Sequence, residues 1–397
     1  MNIGIPAEIK RDERRVALPP AAVGDFVQRG HRVYVQRGAG VSSGFADSDY
    51  ASHGASLLAG AADVWARADL VIKVKEPQPS EYECLRPGLI LFTYLHLAAE
   101  AALTRALLDN HVSAVAYETV SDARGRLPLL EPMSEVAGRM AAQVISHHLE
   151  APQGGRGLLM GGVPGVAPAH VVILGAGTVG ANAAKIALGM GARVSLLDIN
   201  LERLRYLSEV MSGNLATLYS TRNNIAESLR SADALIGSVL IAGTKAPLLV
   251  TRDMLRLMPA GSVIVDVAVD QGGCVESTRP TSHSDPTYFV DQVLHYGVPN
   301  MPGAVPRTSS LALANAILPY ALKIADSGRS ALANDPALIA GVNTAAGHCT
   351  HPAIAQTFGL DYVEPWRALQ PAFISATAPR QSRKAGLQAV PEVLAAQ

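Results

Sequence analysis

Charge is scarce in this chain. Aspartate, glutamate, lysine and arginine make up 17% of its 397 residues, against roughly a quarter in soluble domains. Much of the surface is therefore expected to be covered, inside thick α/β layers or between subunits. The two signs nearly cancel, with 33 basic and 34 acidic residues spread along the chain, which leaves no electrostatic footprint for nucleic acid. Cysteine is rarer still. Cys84, Cys274 and Cys349 are odd in number and far apart, which argues against a disulfide framework or a zinc site and suits reduced thiols in a cytoplasmic protein. No apolar run approaches the roughly 20 residues of a membrane span. The opening "MNIGIPAEIKRDERR" puts its charges behind a short apolar run, the reverse of a secretory signal.

Apolar residues are what the chain has in quantity, 49% of the total, arranged in short runs. "NIGIPAE" (2–8), "RVYVQRG" (32–38), "DLVIKVKEP" (69–77), "LILFTYLH" (89–96) and "SAVAYETV" (113–120) read as buried strands separated by helical stretches. Such alternation predicts a parallel sheet covered on both faces. A helix is expected over 134–150 with Ser134 as its N-cap, and the glycine-rich 154–166 reads as a connecting loop. From 170 the alternation resumes, with a helix over 178–190, strands in 193–199, 216–221, 232–240 and 261–270, and a last strand near "VLHYGV". The prolines of "PNMPGAVPRTS" (299–309) argue against strand or helix there, and the apolar helix 310–326 is expected to return to the first sheet. The fold class is thus α/β with two Rossmann-like doubly wound domains, the second inserted into a discontinuous first one. Its boundaries are expected after residues 133, 307 and 360, with 361–397 as a C-terminal extension that carries no visible chemistry.

"VVILGAGTVG" (171–180) supplies a dinucleotide fingerprint in its proper context: a strand before it, a helix after it, and Asp198 ending the next strand 18 residues past the last glycine. Gly175 permits the tight turn, Gly177 lets the backbone approach a pyrophosphate, and Gly180 lets helix and strand pack closely. Amides at the helix start, those of Thr178 and Val179 among them, offer a positive pole. Asp198 can accept hydrogen bonds from ribose hydroxyls and would repel a 2′-phosphate, so the cofactor is expected to be NAD rather than NADP. Arg203 joins this candidate set, and with Arg205 it lies near enough in sequence to weaken that preference.

Other residues could carry chemistry. Arg14 and Arg15 follow the first strand, where a guanidinium can grip a carboxylate through two hydrogen bonds. Lys73 and Lys75 interrupt an apolar strand, although lysine is seldom buried without a partner. His96 ends the next strand, so a cation and an imidazole terminate neighbouring strands. Asp266 and Asp270 lie near the end of a strand in the nucleotide domain. The pair Gly272–Gly273 would let the backbone pass close to a nicotinamide. A carboxylate clamp, an imidazole and an acid around a nicotinamide point to oxidation at a carbon next to a carboxylate.

These residues give the sequence a strong resemblance to the alanine dehydrogenase family from Met1 to about residue 360. It is carried by "GIPAEIKRDERRVALPP", "VIKVKEP", "YLHLA", "EPMSEVAGRMAAQ", "VVILGAGTVG", "DVAVDQGGC" and "VPNMPGAVPRTS". The resemblance implies an NAD-dependent enzyme that interconverts L-alanine with pyruvate and ammonium, assembled as a homo-hexamer, with no nucleic acid or membrane partner. Arg15 and Lys75 would hold the substrate carboxylate, His96 would be the acid/base, and Asp270 would position or activate water or ammonia. Met133 and Asn300 would border the substrate, while Ser134, Ser220, Val239 and Met301 would line the cofactor. The sister family, the nucleotide-binding subunit of proton-translocating transhydrogenase, shares the N-terminal pattern but generally lacks the histidine and the "DQGGC" form. A non-enzymatic NAD-binding sensor would need no acid/base pair. 2-Hydroxyacid dehydrogenases share the fold, but their catalytic histidine usually follows the nucleotide domain.

Overall fold

The apolar runs assemble into two sheets in a computed structural model that describes residues 1–239 and 246–370. The strands begin with β1 (Asn2–Ile5), β2 (Arg32–Gln36), β3 (Ser56–Leu58), β4 (Leu70–Ile72), β5 (Ile90–Thr93) and β6 (Ser113–Ala116). There follow β7 (His170–Leu174), β8 (Arg193–Asp198), β9 (Leu215–Tyr219), β10 (Ala234–Gly237), β11 (Val263–Asp266), β12 (Thr287–Val290) and β13 (Val293–Tyr296). The last are β14 (Val342–Ala345) and β15 (His348–Cys349). The first sheet has the order β15-β14-β6-β5-β4-β1-β2-β3 and the second β12-β13-β11-β10-β7-β8-β9. Both are parallel except at one edge, where β14 and β15, and in the second sheet β12, run antiparallel.

Alternation along each buried strand feeds two cores. Ile90 and Phe92 face one side of the first sheet, Leu89 and Leu91 the other. Val171 and Ile173 join Ile90 and Phe92 in one continuous cluster, whereas Val172 and Leu174 belong to a separate one. A strand buried on both faces therefore needs no polar alternation, and each fully covered Val, Leu or Ile contributes about 2 kcal/mol. The helix α1 (Glu131–His148) adds Met133, Val136, Met140 and Ile145 to the continuous cluster. It also lies against α2 (Thr178–Gly189), where a Cβ on Gly138 would stand 2.2 Å from the Val179 carbonyl oxygen. The helix α3 (Pro306–Ser327) docks beside the first sheet: Ser310 Oγ accepts from the Val16 amide at 3.0 Å, and Arg29 pairs with Asp326 at 2.6 Å.

Several expectations need correction. Helix α1 starts at Glu131, so Ser134 is a helical residue whose amide donates to the Leu130 carbonyl, not an N-cap. Pro132 fits that first turn because the amides there have no intrahelical acceptor. The same physics overturns the exclusion of helix from 299–309: Pro306 opens α3, and Met301–Ala304 form a 3₁₀ turn. The strands are shorter than their apolar runs, and the short or edge strands β3, β12, β14 and β15 carried no run long enough to read. Residues 371–397 of the expected extension, and residue 240 of the expected strand 232–240, lie outside the described residues. Among the described residues, no helix is long and apolar enough to cross a membrane, and no group of three His, Cys, Asp or Glu could hold a metal ion.

Candidate active site

Ligands of open α/β sheets gather beyond the carboxyl ends of the strands, where the strand order reverses. The second sheet reverses between β7 and β10, and the first between β1 and β4.

At the second reversal the glycine fingerprint takes the conformation its spacing requires. Gly175 sits at φ 97°, and a Cβ there would stand 3.0 Å from both the Ser238 carbonyl oxygen and Val239 Cγ2 at the end of β10. Gly180 packs so tightly that a Cβ would lie 1.8 Å from the Gly175 oxygen. Ser238 Oγ donates to the Leu174 carbonyl at 2.7 Å, tying the two strand ends together. Around Gly177, by contrast, a Cβ would meet nothing within 4 Å, and the backbone lies open to an approaching group. Asp198 accepts from the Ala176 amide at 2.6 Å and the Asn200 amide at 2.8 Å, so the acid expected to read the ribose also shapes the glycine turn. Arg203 reinforces that turn by donating from Nε to the Ala176 carbonyl at 2.9 Å. The Ser220 amide bonds the Asp198 carbonyl at 3.0 Å, which sets Ser220 at the same strand edge. The open glycine cradle, the helix start at Thr178 and Val179, and the acid on the next strand suit a dinucleotide pyrophosphate and ribose.

The first reversal places Arg15 after β1 and Lys75 after β4, and His96 follows the adjacent β5. Arg15 is buried and held by Glu13, which accepts from Nε at 2.7 Å and from Nη2 at 2.5 Å. The same Nη2 donates to Asn300 Oδ1 at 2.8 Å, and Nη1 points at Met133 Sδ at 3.0 Å. Arg15, Met133 and Asn300 are thus brought together from three distant stretches. Burial alone would raise the Glu13 carboxyl, but the Arg15 hydrogen bonds and charge outweigh it and hold it at about 2. Lys75 is half-buried, and its ammonium has no hydrogen-bond or ion-pair partner among the described residues. Burial, and then the adjacent Arg15 guanidinium, push its ammonium below the ordinary lysine value. Lys73 has the opposite fate. It is buried between Glu8 at 3.2 Å and Glu81 at 3.0 Å, a paired charge beneath the site. Arg14 is exposed.

His96 is exposed and sits at φ 49°, a left-handed conformation that histidine adopts at some cost. Glu118, two residues past β6, holds it there by accepting from the His96 amide at 2.6 Å and the Leu95 amide at 3.1 Å. The Glu118 carboxylate also lies 4.0 Å from His96 Nδ1, and Tyr94 stacks parallel to the imidazole with ring centres 6.0 Å apart. Asn300 is likewise left-handed at φ 56°, and Met301 is buried in the 3₁₀ turn that follows.

Asp266 and Asp270 divide their roles. Asp266 is buried and accepts from the amides of Ala268, Cys274 and Val275 at 3.2, 2.9 and 3.2 Å, so it organises the loop beyond β11. Burial raises its carboxyl against those donors. Asp270 rides exposed on this loop. The glycine pair also packs against Asp266. Gly272 and Gly273 adopt φ 94° and 71°, and a Cβ on Gly273 would lie 2.7 Å from Asp266 Oδ2. Two residues that sequence reasoning passed over, Glu13 and Glu118, hold the Arg15 guanidinium and the His96 backbone. The only signal for Glu13 was a charge two residues before Arg15; Glu118 had none beyond its place after a strand.

Comparison with known proteins shows the family. The model of the alanine dehydrogenase/PNT N-terminal domain matches residues 4–137, and that of the C-terminal domain matches 141–352. The chain is 55% identical to an alanine dehydrogenase of Bacillus subtilis, over 93% of this chain and 98% of that protein. It is 52% identical to one of Mycobacterium tuberculosis, over 92% and 99%. A solved L-alanine dehydrogenase superposes with a TM-score of 0.88 at 51% identity, covering 90% of this chain and 99% of that one. A solved transhydrogenase of Sinorhizobium meliloti reaches 0.77 at 26%, covering 89% and 100%. On these matches, the chain belongs to the alanine dehydrogenase/PNT family.

Proposed function

We propose that this chain is an NAD-dependent L-alanine dehydrogenase, interconverting L-alanine with pyruvate and ammonium. The observation that carries the reading is the switch point of the first sheet, where a locked guanidinium and an unpartnered ammonium follow the neighbouring strands β1 and β4, and an exposed imidazole follows β5 beside them. When bound, NAD accepts the hydride that leaves the alanine α-carbon. Arg15 and Lys75 hold the carboxylate and so set which face of that carbon is presented, which is where orientation supplies much of the rate. His96 takes and returns protons at the substrate nitrogen and oxygen as the imine is hydrated and ammonium leaves. Asp270 positions the water, or ammonia in the reverse direction. Met133 and Asn300 border the small methyl pocket, while Ser134, Gly175, Gly177, Thr178, Val179, Gly180, Asp198, Arg203, Ser220, Val239 and Met301 line the cofactor. Residues 1–133 and 308–360 form the substrate domain around an NAD domain of 134–307, and the protein works in the cytoplasm as a hexamer.

The test is NADH formation by the purified protein from NAD and L-alanine in alkaline buffer, with serine, glycine, lactate and a blank alongside. Reduction that depends on alanine, reverses with pyruvate plus ammonium and is absent with lactate is expected. Tight NADH binding without any such reduction would return the reading to a transhydrogenase-like subunit or a sensor.

A further inference from the structure

The Glu13–Arg15 pair has a geometry that the reaction as described leaves unused. Glu13 Oε2 accepts not only from Arg15 Nη2 but also from Asn300 Nδ2 at 3.0 Å, and Asn300 Oδ1 in turn accepts from Arg15 Nη2. The three side chains form a closed triangle that joins the loop after β1 to the loop after β13. The Glu13 side chain is wholly buried, and that of Arg15 nearly so. Inside this triangle the positive charge of Arg15 is balanced before any substrate arrives. The other charges around Lys75 are balanced too, since Lys10 pairs with Glu76. Glu8 and Tyr94, which face Arg15, add no free charge: Glu8 pairs with Lys73, and the Tyr94 hydroxyl donates to the Leu129 carbonyl.

We propose that Glu13 is a positioning residue of the substrate site, one that locks Arg15 as a charge-compensated donor with Nη1 turned toward Met133 and leaves Lys75 to balance the substrate carboxylate. The inference rests on the dehydrogenase reading. Two effects follow from the one carboxylate. Its shape fixes the guanidinium, so loss of the side-on grip costs orientation and therefore turnover. Its charge shields Lys75 from Arg15, so neutralising it leaves two like charges together and makes Lys75 give up its proton more readily.

The experiment follows pyruvate binding to the enzyme–NADH complex without ammonium, by NADH fluorescence, from about pH 6 to about pH 11, across the range where a depressed lysine loses its proton. In the parent protein, affinity is expected to fall on the alkaline side as Lys75 loses its proton. Glu13→Gln is expected to move that fall to lower pH by about one unit or more, and to lower alanine turnover about tenfold or more. Glu13→Asp, which keeps the charge but shortens the grip, is expected to lose turnover while its alkaline fall stays at the parent pH. An unmoved fall in Glu13→Gln, or an equal shift in both variants, overturns the proposal. If Glu13→Gln fails to fold, judged by NADH affinity and circular dichroism, Asn300→Ser removes one corner of the triangle without a charge. Its turnover should fall with the alkaline limb in place, and unchanged turnover overturns the lock. A parent protein that binds NADH but no pyruvate overturns the dehydrogenase reading itself, which separates the two failures.

Discussion

At the scale of single residues, three of the five Arg15 donors are already engaged by Glu13 and Asn300, whereas His96 and Asp270 stand exposed. This contrast separates structural from chemical loss. His96→Ala and Asp270→Asn should each lower turnover by roughly 10²–10⁴-fold, the range for a lost general acid or base, with NADH affinity close to the parent value in fluorescence titration. Affinity that falls as far as turnover would remove them from the chemistry. Asp198→Ala should behave differently, because its carboxylate also holds the Ala176 and Asn200 amides. Weaker NADH binding together with a smaller preference over NADPH is expected, and an unchanged preference would mean that the ribose is read elsewhere. Acid stability belongs to this scale as well. Glu13 is held at about 2, below its ordinary 4.5; a carboxyl lowered on folding contributes stability that is full above the unfolded value and is lost as pH falls toward the folded one. Thermal melting between about pH 5 and pH 2 should therefore steepen its decline in the parent and decline less in Glu13→Gln.

At the scale of elements, the contact between α1 and α2 positions the amides that a pyrophosphate would meet. Gly138 is what permits it, since a Cβ would stand 2.2 Å from the Val179 oxygen and backbone cannot yield as a side-chain tip can. Gly138→Ala should destabilise the protein by about 1–3 kcal/mol, as overpacking does, and should weaken NADH binding because α2 must shift. A melting temperature and NADH affinity equal to the parent's would refute this contact. Elements were legible where periodicity was strong. The long apolar runs of β5, β7 and β8 could be read because strands buried on both faces are continuous in apolar residues. Helix ends were not legible. Pro132 and Pro306 were read as interruptions or left unread, although both sit in first helical turns where a missing amide costs nothing.

At the scale of the whole molecule, the two strand-order reversals set the site. The loops after β1, β4 and β5 gather at the reversal of the first sheet, and those after β7, β8 and β10 at the reversal of the second. Sedimentation of the full chain should give a particle of six chains; a monomer active at full rate would show that assembly is not needed for turnover.

The sequence by itself determined the cofactor turn, the alternation that makes two parallel sheets, and a candidate set of Arg14 and Arg15, Lys73 and Lys75, His96, and Asp266 and Asp270 at strand ends, because glycine spacing and apolar period are local properties. Only the tertiary structure decided which lysine is free. Lys73 and Lys75 are two residues apart and chemically identical, and they differ only because Glu8 and Glu81 converge on the first from elsewhere in the chain. It likewise decided that Glu13 and Asn300, nearly three hundred residues apart, share one guanidinium, and that Glu118 stands behind His96. Partners of buried charges are chosen by packing, and no local pattern along the chain encodes them.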